Sequence, residues 1–347
     1  MIESGLEAIR QRFAGIDDVP GRVAHLRWEL VSYAWVLRKT LRRAKVTGLT
    51  GRYLRSVLAS IRRNPSGDLA RPVFIVGSPR SGTTFLGSCF DAVSTFAYFF
   101  EPAASMLCNG LVFEGVWSRS FAESYYRRVF WFLLLCSGTI GRRFCEKGPP
   151  NVFVIPLLAE FFPDAKFIHL LRDGRDVAAS LLERGWLNHV PTEQGSSLTA
   201  RDFRYAFFTG TGIGAYPRYW VEPQRRMEFL NTTDSHRCIW CWRRHVEYGI
   251  SAGRSLPESR YLEVRYEDMV REPRATAATM MKFLEVDDVS TVEAFGNAMS
   301  RIHADSIGKH RRNTDGVLDV AGVEEAGKLL ARLGYNGGPA RPRPASV

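Results

Sequence analysis

The stretch Arg71–Leu86, RPVFIVGSPRSGTTFL, joins three local signals in sixteen residues. Val73-Phe74-Ile75-Val76 is a run of β-branched and aromatic residues closed by a glycine, the pattern of a short buried strand. Gly77–Thr84 reads as a turn, and Phe85, Leu86, Cys89 and Phe90 open a helical apolar pattern. A strand, a glycine-bearing turn and a helix start form a cradle for an anion. Backbone N–H groups converge there and the helix dipole adds a favourable field.

The loop glycines carry more information. Gly77 and Gly82 have four residues between them, the P-loop spacing. A P-loop kinase or ATPase would place lysine after the second glycine and an acidic strand end on Mg²⁺. Here the position holds Thr83, no such acid stands out, and a cation sits inside the loop at Arg80. The loop is therefore expected to hold a phosphate in a different way. A nucleotide kinase or ATPase is the first alternative. A catalytically silent nucleotide- or polyanion-binding protein is the second.

A second stretch lies about ninety residues on: Phe162–Ser180, FPDAKFIHLLRDGRDVAAS. It reads as a strand ending in Arg172, then a helix that carries Ser180 eight residues later. Together the two stretches resemble the sulfotransferases that take 3′-phosphoadenosine 5′-phosphosulfate (PAPS) as donor. PRSGTT resembles their 5′-phosphosulfate loop, and the Arg172–Ser180 element resembles their 3′-phosphate site. The resemblance runs over roughly Pro72–Val286, with a weaker patch at Ser306–Arg312.

The resemblance implies a three-layer α/β fold with a mainly parallel sheet and a P-loop-like turn, preceded here by a basic helical segment. It implies metal-free, in-line sulfuryl transfer, with 3′,5′-ADP as the by-product. Ser81, Gly82, Thr83 and Thr84 would hold the 5′-phosphate, and Arg80 would meet the charge that builds on it. Arg172 and Ser180 would hold the 3′-phosphate, Tyr266 would touch adenine, and Gly308 and Lys309 would close over the 3′-phosphate. Glu101 stands 21 residues after Arg80, as the base does in the tyrosylprotein branch. The cytosolic branch uses a histidine two positions after a lysine; here Lys147 is followed by Gly148-Pro149. Glu101 is thus the expected base and Lys147 a helper of the leaving phosphate, with His189 and His303 as substitutes for the base.

The rest of the chain bounds the reading. With 347 residues, 45% of them hydrophobic, it can bury a large core. Residues 1–71 hold 14 of the 47 Lys+Arg and 6 of the 36 Asp+Glu, so the basicity is concentrated there. Leu30, Ala34, Leu37 and Leu41 fall at helical spacing beside Trp28 and Trp35. Residues 1–68 are therefore expected to be a basic helical segment, docked on the catalytic domain or in peripheral contact with an anionic membrane. No nucleic-acid module is visible, so no nucleic-acid partner is expected. The six scattered cysteines predict reduced thiols and a cytoplasmic placement. The sulfotransferase domain is expected over 69–335 and a disordered tail over 336–347.

Helices are predicted at Asn151–Phe162, 174–184, Ser235–Gly253 and Pro273–Leu284, and a strand at Arg260–Tyr266. Residues 185–234 mix glycine and proline with Trp186, Tyr219, Trp220 and other aromatics. They are expected to be a lid over a carbohydrate, a glycolipid or another small hydroxyl-bearing acceptor. Cys238 and Cys241 lack a second ligand pair and read as core residues.

Overall fold

The computed structural model describes residues 69–188, 218–312 and 319–335. The basic segment 1–68, the tail 336–347, His189 and most of the expected lid lie outside the described residues.

Five parallel strands form one sheet in the order β2-β3-β1-β4-β5. They are β1 (Val73–Gly77), β2 (Phe96–Phe100), β3 (Arg143–Lys147), β4 (Lys166–Leu171) and β5 (Tyr261–Arg265). The phosphate-loop strand is the central one, and all five of its residues are buried. Alternation along it feeds two cores. Phe74 and Val76 face one apolar cluster, Val73 and Ile75 the other. A fully buried side chain of this size contributes about 1.5–3 kcal/mol, so both faces of β1 are strongly committed.

Helices cover both faces, which gives three layers. One face carries α1 (Thr83–Asp91), α9 (Pro273–Phe283) and α10 (Val289–Met299). The other carries α2 (Ala103–Phe113), α3 (Arg119–Ser137), α4 (Ile155–Phe161), α5 (Gly174–Arg184), α7 (Asp234–Gly253) and α12 (Val320–Arg332). Short helices α6 (Arg226–Asn231), α8 (Tyr266–Arg271) and α11 (Lys309–Arg312) complete the described set. Phe74 stacks on Phe167 of the neighbouring strand at 5.3 Å, and Phe130 packs on Phe144 at 4.4 Å.

Three expectations are corrected. The helix predicted over 151–162 is a 3₁₀ turn, Pro149–Val154, followed by α4. Pro156 lacks the N–H that a continuous helix would donate to the Val152 carbonyl, so the chain restarts. Tyr266 does not end β5 but begins α8. Tyr219 and Trp220 are not lid residues: they are fully buried against Phe153, Phe229 and His245. Aromatic residues in a Gly/Pro-rich stretch had suggested a surface, but their area makes them core material.

An ion network ties α12 to α7. Glu325 accepts from Arg225, Arg243 and His236. Burial alone would raise its pKa, yet those hydrogen bonds and charges bring it down to about 2.

Candidate active site

The anion loop sits where β1 ends, between β3 and β4. Its two glycines are each demanded by a neighbour. A Cβ on Gly77 would lie 2.6 Å from the Leu170 carbonyl oxygen of β4. A Cβ on Gly82, at φ 98°, would lie 2.5 Å from the Tyr266 ring. Arg80 also takes positive φ, 70°, which a side chain rarely adopts. The loop closes with Ser81 N–H donating to the Ser78 carbonyl at 3.2 Å.

Two features of the loop suit an anion. Gly82 caps α1 without a side chain, so no side-chain oxygen takes the first N–H groups of that helix. The Ser81 hydroxyl is fully buried with no hydrogen-bond partner. Both features suit a bound phosphate oxygen.

The predicted 3′-phosphate residues converge beside it. Arg172, 5% exposed, donates to the Arg80 carbonyl at 3.0 Å and to the Ser306 carbonyl. Its guanidinium lies 4.4 Å from the centre of the Tyr266 ring, and its Nε has no partner. Arg80 Nε donates to Ser180 Oγ at 3.1 Å, and its guanidinium stacks 5.5 Å from Trp186. Burial, then the charges of Arg184 and Arg172, lowers the Arg80 pKa. Arg80 and Arg172 side by side, with the charge of Arg184 added and Asp176 4.0 Å from Arg172, suit a polyanion.

Asp176 lies 4.0 Å from Arg172, the ion pair its spacing allows, and has a second role that the sequence reading did not give it. Its carboxylate accepts from Gly308 N at 2.9 Å, His310 N at 3.0 Å and His310 Nδ1 at 2.6 Å. Lys309 pairs with Glu183. Asp176, Ser180 and Glu183 recur at helical spacing along α5, so one face carries Ser180 and anchors the Gly308–Lys309 segment. The signal was present: Asp176 stands four residues from both Arg172 and Ser180. Arg175 instead pairs with Asp173 at 2.6 Å, as a structural ion pair.

The expected base and its lysine partner stand at neighbouring strand ends. In the β2–β3 register Phe100 stands opposite Lys147. Glu101 follows with its N–H donating to the Lys147 carbonyl at 2.9 Å. Glu101 adopts φ 38°, a strained value for glutamate, which places it beside Lys147. The Lys147 side chain is 1% exposed, and its ammonium pairs with Glu101, donates to Thr84 Oγ1 at 3.2 Å and lies 3.8 Å from the Phe100 ring centre. Burial lowers its pKa, Glu101 opposes the drop, and the charge of Arg80 adds to it. Thr84 belongs to the first turn of α1, so it joins this pair to the anion loop.

Other expected roles fall elsewhere. The His303 carbonyl accepts from Tyr266 OH at 3.3 Å, on the Arg172 side and away from Lys147. Cys238 and Cys241 are buried free thiols, as expected of core residues.

Residues 70–306 match the sulfotransferase domain family, more than half of the chain. Protein-tyrosine sulfotransferase 2 of Gallus gallus is 23% identical over 297 residues, covering 76% of this chain and 69% of that one. Protein-tyrosine sulfotransferase 1 of Danio rerio is 24% identical over 297 residues, covering 76% and 72%. Among solved structures, a sulfotransferase from Mycobacterium avium aligns with a TM-score of 0.48 at 15% identity, over 80% of this chain and 81% of that one. Similarity to protein-tyrosine sulfotransferases overturns the cytoplasmic placement expected from the cysteines. All six cysteines are buried and free, so their reduced state reflects packing and does not fix a compartment. The relatives' names also lend nothing to the expected carbohydrate, glycolipid or small-molecule acceptor, or to membrane contact. No helix among the described residues is long and apolar enough to cross a membrane.

Proposed function

The chain belongs to the sulfotransferase domain family and is an enzyme of that class, and from that premise we propose that it moves the sulfuryl group of PAPS onto the phenolic oxygen of a polypeptide tyrosine, releasing 3′,5′-ADP. The observation that carries this reading is the Glu101–Lys147 pair beside Thr84, at the mouth of the anion loop.

The described residues fit such a donor at two places. Unpartnered Ser81 Oγ and the uncapped start of α1 suit the 5′-phosphosulfate, with Gly82, Thr83 and Thr84 around it. Unpartnered Arg172 Nε, with Ser180, Gly308 and Lys309 close by, suits the 3′-phosphate. Tyr266, packed between Gly82 and Arg172, is the candidate neighbour of adenine.

In the reaction the acceptor oxygen attacks sulfur and its proton passes to the Glu101 carboxylate. The new O–S bond forms as the S–O bond to the 5′-phosphate breaks, and that electron pair stays on the phosphate. Arg80, Lys147 and the N–H groups of α1 offset the growing charge. The sulfuryl group carries less charge than a phosphoryl group, so protein cations can fill the place of Mg²⁺. A phenol also suits a single carboxylate base, because its pKa of about 10 lies far below that of a sugar hydroxyl.

The test is transfer from PAPS, with chelator present, to a tyrosine peptide, its phenylalanine variant, a serine peptide and an oligosaccharide, read by mass. A gain of one sulfuryl group on the tyrosine peptide alone is expected. Transfer to the oligosaccharide but not to tyrosine would sink the acceptor assignment.

A further inference from the structure

Behind the Glu101–Lys147 pair lies a buried polar cluster that the chemistry above does not use. Glu146 is adjacent to Lys147 on β3 but points to the opposite face of the sheet, and it is fully buried. Ser105, in the first turn of α2, sits between it and the residue after Glu101. The Ser105 hydroxyl lies 2.6 Å from Glu146 Oε1 and 2.9 Å from the Pro102 carbonyl oxygen.

A hydroxyl has one proton. If Glu146 is ionised, both neighbours of Ser105 are acceptors and only one can be served. If Glu146 carries a proton, the chain is complete: Glu146 O–H donates to Ser105, and Ser105 O–H donates to Pro102. The surroundings favour the second state. Cys108 and Tyr126 face the cluster from α2 and α3, and burial pushes both well above their usual pKa values, so both are neutral. Asn109 accepts from Tyr126 and donates to Asn151 at 2.6 Å. Glu146 Oε2 and the Asn151 amide nitrogen both lack a partner at hydrogen-bonding geometry, so what Asn151 offers Glu146 is a weak contact. Burial raises the Glu146 pKa to about 7, Ser105 and Asn151 oppose the rise, and Glu101 adds to it. A bare carboxylate here would be a buried charge facing no cation in the cluster.

We propose that Glu146 is a positioning residue for Glu101, acting in its protonated form through the Ser105 hydroxyl and the Pro102 carbonyl. The inference rests on the reading of Glu101 as the base. Glu101 keeps φ 38° only while its surroundings hold it, since that conformation costs a non-glycine residue roughly 1–2 kcal/mol. When Glu146 ionises, the Ser105 proton turns to it, and the Pro102 carbonyl, which also accepts from Met106 N–H at 3.1 Å, loses one of its two hydrogen bonds. The Glu101 carboxylate then relaxes from its place, and a misplacement near 1 Å can cost about a hundredfold in rate.

The experiment uses the full chain, PAPS and the tyrosine peptide, with kcat and KM followed from pH 6 to 9. Wild type should lose about tenfold or more in kcat through neutral pH, with KM for PAPS steady. E146Q should abolish that step while rescuing the low-pH turnover that E146A loses, because the amide N–H can donate to Ser105 as the acid does. S105A should be slow at every pH and lack the step. An unchanged step in E146Q would overturn the proposal. Infrared spectra give a reading that needs no turnover: wild type at pH 6 should show a protonated-carboxyl band that E146Q lacks and S105A shifts. No such band would also overturn it. A wild type with the band but no sulfated peptide would instead sink the transfer reading.

Discussion

Replacing Glu101 by glutamine should slow the enzyme in two separable ways. The first is the loss of the base. A positioned general base is worth about two to four orders of magnitude, or about 2.7–5.4 kcal/mol of barrier. The second acts through Lys147, whose side chain is 1% exposed and whose ammonium is paired with Glu101. The glutamine oxygen can still accept its hydrogen bond but brings no charge, so the Lys147 pKa, already lowered by burial, falls further. A neutral Lys147 cannot offset charge on the leaving phosphate. The ratio of wild-type to variant kcat should therefore grow with pH, as Lys147 loses its proton in the variant first. Single-turnover measurements from pH 6 to 9 with saturating PAPS would read that ratio. Calorimetry should find 3′,5′-ADP affinity changed by less than about threefold at pH 6, since Glu101 touches no loop residue other than through Lys147. A variant within roughly fivefold of wild type across the range would move the base away from Glu101.

Other outcomes follow from the same geometry. Arg172→Ala should weaken 3′,5′-ADP by a few kcal/mol and 5′-AMP far less; equal losses in calorimetry would remove the 3′-phosphate role. Gly82→Ala must move the Tyr266 ring, 2.5 Å from the new Cβ, and hold φ 98°, so both stability and 3′,5′-ADP affinity should drop, and a normal affinity would contradict the packing. Burial lowers the His169 pKa to about 4, so this buried neutral ring favours the native state above about pH 6.5 and that stability is lost as pH falls toward 4. NMR titration should find His169 neutral at pH 5, and a charged ring there would disprove the assignment. Glu325→Ala should destabilise the fold by about 3 kcal/mol, the low end for a broken buried pair because Glu222, Glu228 and Glu247 still serve Arg225 and Arg243. An unfolding midpoint equal to wild type would show that the network is only decorative.

Local signals carried most of the fold. The apolar run at β1, the glycine pair and the strand ending in Arg172 are each readable within a few residues, and the structure places all three at the centre of the sheet. What the sequence hid depends on contacts distant in the chain. Ser105 and Glu146 are 41 residues apart, and nothing in either neighbourhood announces that one hydroxyl sits between a carboxyl group and a backbone carbonyl. The Glu101 backbone strain likewise has no sequence signature, because glutamate does not favour positive φ. Trp220 misled for the opposite reason: Gly/Pro-rich surroundings looked like a surface loop, whereas burial of the ring depends on Phe229 and His245.

One continuous site, from Arg172 to Glu101, is expected to transfer a sulfuryl group from PAPS to an acceptor hydroxyl. The most direct measurement is simultaneous counting of 3′,5′-ADP and sulfated tyrosine peptide from purified protein and PAPS, with chelator present. One 3′,5′-ADP is expected for each sulfated tyrosine, dependent on the peptide. Release of 3′,5′-ADP without a sulfated product, or PAPS left intact while ATP is turned over with Mg²⁺, would contradict it.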